Sequence, residues 1–398
     1  MKDNWLNTDL CTGCGACADK CPLGCISMIN DNGCLKPDID IDKCVNCNQC
    51  KTVCPNYTPS FNAKPAECTY VAFYKDTKCS IKSSSGGLFV ALARFILAKQ
   101  GVVYGAAMVY DNKVLLCRHI RVTDKKELYL LQGSKYVQSR MGGIYKQVKK
   151  DLNSGKTVLF SGTSCQIASL RNFVGTQERL FTVDLVCHGV PKDKIFNDFI
   201  DFIENKYDGC VENIAFRSKE ISYRNKLVPY TIQVIIRKKD STLVSKTFVR
   251  PKSSFYRLFS NRAGYRTSCY QCKYSSLVKS SDITLGDFLP RASEISRYGL
   301  NASLHYSSVF VHTNKGKELL DSISGSIWKI ELPIEEMLSH HLNMQHPSVI
   351  TDEGKKYLNI YEKGGFKNLH SYVFYENCRD DIIHFVRSIM KRVSSLCK

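Results

Sequence analysis

Eight cysteines near the start of the chain spell one short phrase twice. Cys11-x2-Cys14-x2-Cys17-x3-Cys21-Pro22 is followed by Cys44-x2-Cys47-x2-Cys50-x3-Cys54-Pro55. Two intervening residues let successive thiolates point inward from one tight loop, so three of them hold three corners of a 4Fe–4S cube. The proline turns the chain away and sends the fourth thiolate to the neighbouring cube. The spacing therefore groups Cys11, Cys14, Cys17 and Cys54 around one cluster and Cys44, Cys47, Cys50 and Cys21 around the other. The rival chemistries are a disulfide framework and zinc. Zinc favours Cys-x2-Cys pairs set apart by a longer loop and needs no proline after them. Two further cysteines in the segment, Cys25 and Cys34, read as small buried hydrophobes.

The segment over residues 5–58 resembles a bacterial two-cluster ferredoxin. Of the 20 cysteines in the chain, twelve remain, and four of these stand in glycine- or turn-flanked settings: Cys165, Cys187, Cys269 and Cys272. Ser161-Gly162-Thr163-Ser164-Cys165-Gln166 marks a strand-to-helix junction, where ligands of α/β sheets collect. Asp184-Leu185-Val186-Cys187-His188-Gly189-Val190-Pro191 ends another strand in the same way. Four such thiolates can hold a third 4Fe–4S cube. A zinc site through Cys269 and Cys272, or a catalytic thiol at Cys165 or Cys187, competes with that reading. His188 can tune a cluster, protonate a substrate or serve the fold through a hydrogen bond. Ser83-Ser84-Ser85-Gly86-Gly87 opens a helical stretch, where serine can cap and glycine lets a phosphate reach the amides; such caps also occur without ligands. Gln132-Gly133-Ser134-Lys135-Tyr136-Val137-Gln138-Ser139 offers polar groups to a nucleotide, or is simply a polar loop.

The elements that must position these residues follow from periodicity. Residues 59–67, with two prolines, read as a linker. Strands are expected at 69–74, 101–110, 114–121, 157–160, 180–187 and 283–285, with longer antiparallel strands carrying Arg and Lys over 211–250. Helices are expected at 85–99, 124–131, 141–153, from Cys165 onward, at 192–207 and at 253–262. Strands and helices mixed at this spacing predict an α/β fold with α+β elements. The expected domains are 1–58 for the two clusters, 59–67 for the linker, 68–155 and 156–300 for the two parts of the body, and 301–398 for an extension. The tail 380–398 reads as a basic amphipathic helix carrying Ile383, Val386, Ile389, Met390 and Val393, for packing onto the body or for touching a membrane surface.

The formal net charge is +19, lowered by roughly −2 for each oxidised four-thiolate cube. A basic balance suits an acidic redox partner or an anionic cofactor. No helix-turn-helix or finger motif points to nucleic acid. No run of about 18 uncharged apolar residues predicts a membrane span. The N-terminal stretch shows no apolar core of a signal peptide, and so many free cysteines predict a reducing compartment, the cytoplasm.

Taken together, SSGG at 84–87, GSKYVQS at 133–139, SGTSCQ at 161–166, VDLVCHGVP at 183–191 and CYQCKY…SSDITLGDF at 269–288 resemble the coenzyme F420 hydrogenase/dehydrogenase beta-subunit family, over roughly residues 68–300. The resemblance implies an iron–sulfur flavoprotein oxidoreductase that moves electrons between 4Fe–4S clusters and FAD, to or from an organic two-electron acceptor. That acceptor would be a deazaflavin-type coenzyme or a substrate of a biosynthetic pathway such as polysaccharide synthesis. It also implies FAD contacts from Ser84, Ser85, Gly86 and Gly87 and from Gly133, Ser134, Lys135, Tyr136, Gln138 and Ser139. Cys165, Cys187, Cys269 and Cys272 become the ligands of the third cluster. The other functional class is a non-catalytic electron-transfer subunit that docks on a catalytic partner. Two positions depart from the family pattern. Ser164 stands in place of proline and is expected to loosen the loop before Cys165; Leu289 stands after Gly286-Asp287-Phe288 in place of tryptophan.

Overall fold

The computed structural model describes residues 8–59, 62–111, 114–218, 222–223, 226–227 and 231–396. Its strands are, in chain order, β1 Ile26–Asp31, β2 Cys34–Ile39, β3 Cys68–Tyr74, β4 Val102–Asp111, β5 Val114–Val122, β6 Val158–Gly162, β7 Leu180–Leu185, β8 Gly209–Phe216, β9 Ser222–Tyr223, β10 Lys226–Leu227, β11 Thr231–Lys238, β12 Leu243–Val249, β13 Ile283–Phe288, β14 Tyr306–Val311 and β15 Ile327–Leu332. Eight of them form one sheet in the order β15-β3-β14-β13-β7-β6-β4-β5. The central run β13-β7-β6-β4 is parallel. Antiparallel strands close both sides.

The parallel strands are buried on both faces, which is why β6 opens on the apolar run Val158, Leu159 and Phe160, while β7 satisfies its buried Thr182 and Asp184 by hydrogen bonds. Along β6 the side chains divide between two cores. Leu159 joins Leu92, Ile96 and Val183 on one face, beneath helix Leu88–Ala98. Val158 and Phe160 join Ile144, Val148, Ile167 and Leu170 on the other, beneath helices Ile144–Asn153 and Ser164–Val174. Cys14, Ala16 and Val53 belong to this second core. The cysteine-rich segment is thus packed into the body through the same apolar layer.

The α/β expectation holds, with two changes. The body runs past residue 300, because β14 and β15 are integral strands of the main sheet. The basic strands after residue 208 are antiparallel as expected, but they form a sheet of their own, β12-β11-β8, packed against helices Asp193–Tyr207 and Ser254–Ser260. Helix Asp352–Leu396, broken at Gly365 (φ 70, ψ −175), lays Tyr357, Tyr361, Phe366, Leu369 and Val373 into that layer. Further along it, Ile383 and Met390 are exposed; the side chains of Val386, Ile389 and Val393 lie outside the described residues. Among the described residues no helix is long and apolar enough to cross a membrane.

Candidate functional site

Two cavities sort the first eight cysteines. One is lined by Cys11, Cys14, Cys17 and Cys54, with Met28 and Pro37 at its walls. The other is lined by Cys21, Cys44, Cys47 and Cys50, with Ile26 and Ile39. Cys54 thus lies with the first triplet and Cys21 with the second. Short helices Ala16–Lys20 and Gln49–Val53 make it possible, each carrying the chain from the third cysteine of one triplet to the fourth beside the other. Left-handed turns at Gly13 (φ 66) and Gly15 (φ 74) fold the first loop tightly around its cavity.

The electrostatics agree. Burial raises the Cys17 thiol well above its ordinary value, and Cys14, Cys11 and Cys54 add to the shift. Burial likewise pushes Cys54 up to about 11 and raises Cys50, which feels Cys47 and Cys21. Thiolates this close and this dry need cationic iron to coexist. The inner cavity faces the body. At the outer one Cys47 is exposed and Cys44 and Cys50 are half-buried. Cys34 is buried as expected. Cys25 is buried too, but it is more than filler: its Sγ lies 3.3 Å from that of Cys21, and it lines the outer cavity.

Cys165, Cys187 and the Cys269/Cys272 pair come from three separate segments and meet near the carboxyl ends of the parallel strands. Cys165 opens helix Ser164–Val174, behind a Thr163–Gln166 capping box, and its Sγ lies 3.1 Å from the Thr163 hydroxyl. Burial pushes its thiol up to about 12, with Cys272, Cys187 and Cys14 contributing. Cys187, beyond β7, is also pushed up to about 12 by burial, with Cys269 and Cys272 adding to it. Cys269 is raised to about 12 by burial, against a hydrogen bond from the Val190 amide at 3.4 Å. Among the described residues no three His, Cys, Asp or Glu side chains are grouped to hold a single metal ion. A cube spreads its four thiolates more widely than one zinc does.

Two buried carboxylates hold this assembly in register. Asp184 accepts from Ser164 Oγ at 2.5 Å, from Ser281 Oγ at 2.8 Å and from the Thr284 hydroxyl. Asp282 accepts from Arg171 Nη2, Thr182 N and Thr182 Oγ1, each at 2.8 Å. Ser164 therefore does not loosen its loop. It is buried, and it ties the Cys165 helix to β7 and to Lys279 Nζ at 3.2 Å.

The inner cavity and the third quartet share a wall. Tyr145 is fully buried; its hydroxyl donates to the Cys14 carbonyl at 3.1 Å and lies 3.5 Å from that of Gln166. Arg266, three residues before Cys269, donates to the carbonyls of Cys11 at 2.9 Å and Leu35 at 2.8 Å. Ser268 Oγ donates to the Cys11 carbonyl at 3.1 Å. Asp19 accepts the amides of Gly143 and Tyr145, at the start of helix Ile144–Asn153.

The serine–glycine loops meet at the same strand ends. Ser134 donates through both N and Oγ to Ser84 Oγ, at 2.7 and 2.8 Å. Ser85 Oγ donates to the Tyr306 carbonyl at 2.7 Å. The serines do not cap the helix, which starts at Leu88 behind Gly87 (φ 82). Gly86 is required by packing. A Cβ there would sit 2.6 Å from the Ala72 carbonyl oxygen, and its amide is taken by Ser307 Oγ at 3.0 Å.

In the second loop, the Lys135 ammonium donates to the carbonyls of Gln132 and Leu130 at 2.7 and 3.1 Å. Tyr136 packs against Phe259, with ring centroids 4.2 Å apart. Among the described residues Gln138 Oε1 is buried without a hydrogen-bond partner, the kind of atom that water or a ligand satisfies. Gly133 (φ 78) has open space where a Cβ would stand. Sequence reasoning missed His119, which joins two motifs: its Nδ1 lies 2.7 Å from Ser139 Oγ and its Nε2 2.9 Å from the Ser161 carbonyl. A lone histidine in a strand carries no spacing signal that could have revealed this.

Fold and cysteine geometry define an iron–sulfur protein with a ferredoxin-type segment built onto an α/β body. Residues 10–57 match the 4Fe-4S dicluster domain. Residues 155–333 match the C-terminal region of the family described as "Coenzyme F420 hydrogenase/dehydrogenase, beta subunit"; the chain carries both. A "Probable ferredoxin" of Methanosarcina thermophila is 61% identical over 28 residues, which are 7% of this chain and 47% of that protein. The chain thus spans about half the length of this curated relative. A chain of the F420-reducing NiFe hydrogenase complex from Methanosarcina barkeri is 16% identical, with a TM-score of 0.44; the match covers 77% of this chain and 95% of that one.

Proposed function

We propose that this protein is a flavin-dependent iron–sulfur oxidoreductase: electrons pass between its clusters and a bound FAD, to or from an organic two-electron acceptor. The observation that carries the proposal is the shared wall of the inner cavity and the third quartet, set where Ser84, Ser134, His119 and Gln138 gather. In this reading Cys11, Cys14, Cys17 and Cys54 hold the inner cube, and Cys21, Cys44, Cys47 and Cys50 the outer one. Cys165, Cys187, Cys269 and Cys272 hold the third. FAD lies against Ser84 to Gly87 and Gly133 to Ser139. A bound flavin supplies the exchange between one-electron and two-electron chemistry.

The chain's own groups do the rest. Tyr145, Arg266 and Ser268 fix the inner loop against the third quartet. Asp184 and Asp282 fix the elements that carry its thiols. Ser84 and Gln138 present polar atoms to a ligand at the carboxyl edge. The partly exposed outer cavity is the place for an acidic redox partner to dock on a basic protein. The acceptor is a deazaflavin-type coenzyme or a substrate of a biosynthetic pathway such as polysaccharide synthesis, and the setting is the reducing cytoplasm.

Release and identification of noncovalent cofactor from protein purified without oxygen tests the proposal. About one FAD per chain is expected. Protein with intact clusters that takes up no flavin on reconstitution would instead be an electron-carrying subunit of a separate catalytic partner.

A further inference from the structure

Beside the third quartet, the carboxyl ends of β7 and β13 carry a second set of polar side chains that cysteines and serine–glycine loops leave unused. His188 follows Cys187 and is exposed. Its ring bonds to Asn343 and feels the charges of Arg262, Asp287 and Arg217. Asp287 lies one residue beyond Gly286, whose carbonyl is 3.5 Å from Ser85 Oγ. Its carboxylate accepts from Arg217 Nη1 at 2.6 Å. Behind it His341 is buried, with Nε2 2.7 Å from Ser308 Oγ. Only a glycine at 286 leaves room for that ring, since a Cβ would approach His341 Cε1 to 2.8 Å.

Three properties mark this set as a receptor. Arg262 is half-buried and makes no side-chain hydrogen bond or ion pair among the described residues. Arg217 (φ 58) and Arg262 (φ 56) both hold left-handed backbone, which is uncommon for residues other than glycine. Leu185 and Leu289 are 43% and 60% exposed at the same strand ends, so apolar surface borders the charge. Arg217 pairs with the Asp287 carboxylate, while the Arg262 guanidinium acts on the His188 imidazole from nearby.

We propose that Arg262 and Arg217, with His188 and His341, seat the carboxylate or phosphate group of the organic acceptor, whose apolar ring rests on Leu185 and Leu289. This rests on the oxidoreductase reading for what happens to the acceptor, but the seat itself requires no flavin. The same chemistry would also suit the phosphates of FAD, and the test separates the two.

Oxidised, cluster-loaded protein is dialysed to equilibrium against anthraquinone-2-sulfonate and, separately, the uncharged 2-(hydroxymethyl)anthraquinone, with flavin and iron assayed in the same samples. The wild type is expected to hold the sulfonate about ten-fold tighter, the scale of one charge-assisted hydrogen bond. Arg262→Gln should abolish that preference and leave flavin and iron content unchanged, whereas Arg262→Lys should restore part of it. Equal affinities in the wild type, or a preference that survives Arg262→Gln, would overturn the proposal. So would loss of flavin from Arg262→Gln, which would give the arginine to the cofactor's phosphates. Flavin-free protein that still prefers the sulfonate would sustain the seat while removing the flavin reading.

Discussion

The chain gathers thiolates in two contrasting ways. In the first 55 residues, ligand position is local: each triplet is a single tight loop, and only the fourth cysteine has to travel. In the body, Cys165, Cys187 and the Cys269/Cys272 pair are brought together by a sheet, a helix and two buried carboxylates. A local site needs little beyond its own loop, so it should survive damage elsewhere. A dispersed site is only as stable as the fold around it. The difference teaches where fragility lies: in the three-cluster reading, iron in the body would depend on the β7–β13 junction, and iron in the first segment would depend on it less.

The strongest way to break this contrast is to remove a body cysteine. Cys269→Ala is expected to lose one cube, about four iron atoms, while the visible absorption of the first two clusters persists; unchanged iron and sulfide content would contradict it. Asp282→Ala should come next. It strips the partner from a guanidinium that is 9% exposed on its side chain, at a cost of about 3–5 kcal/mol. Thermal unfolding of the body should fall, and the third cluster with it, while the signals of the first two remain. Gly86→Ala sets a Cβ against the Ala72 carbonyl and should lower body stability by about 1–3 kcal/mol, seen as a reduced denaturant midpoint with all iron retained.

Smaller effects sharpen the contrast at the shared wall. Tyr145→Phe removes the hydroxyl that donates to the Cys14 carbonyl. It should cost about 1 kcal/mol and slow reoxidation of the inner cluster by the third site, read by rapid-mixing absorbance, with cluster content unchanged. Smallest is a pH effect on loading. Burial holds Cys165, Cys187 and Cys269 protonated up to about 12, and ligation releases those protons. Reconstitution of the third site with iron and sulfide should therefore improve as pH rises from about 7 to 9, with iron bound per chain as the readout; loading that declines over this range would contradict it.

The same contrast explains what could be read from the residues. The pairing of Cys54 with the first triplet and Cys21 with the second follows from spacing, because proline and the x3 interval act within a few residues. Strands such as β6 and β7 were legible from the sequence. The course of the sheet across β15-β3-β14 was not, since antiparallel returns from residues 306–332 depend on contacts far apart in sequence. Ser83 to Gly87 looked like a helix cap, but tertiary packing of Gly86 against β3 and β14 outweighs the local preference. Ser164 looked like a loosening substitution because Asp184 and Lys279, its partners, lie 20 or more residues away. His119, His341 and Arg217 carried no spacing signal at all; the fold alone makes them neighbours of the site.

The most direct test of the account is the iron and acid-labile sulfide content of anaerobically purified protein, taken with the electron paramagnetic resonance spectrum after reduction. Three cubes predict about twelve iron atoms per chain and a spectrum broadened by coupling between the inner and third clusters, simplified by Cys269→Ala. About eight iron atoms, with a spectrum indifferent to Cys165, Cys187, Cys269 and Cys272, would contradict it.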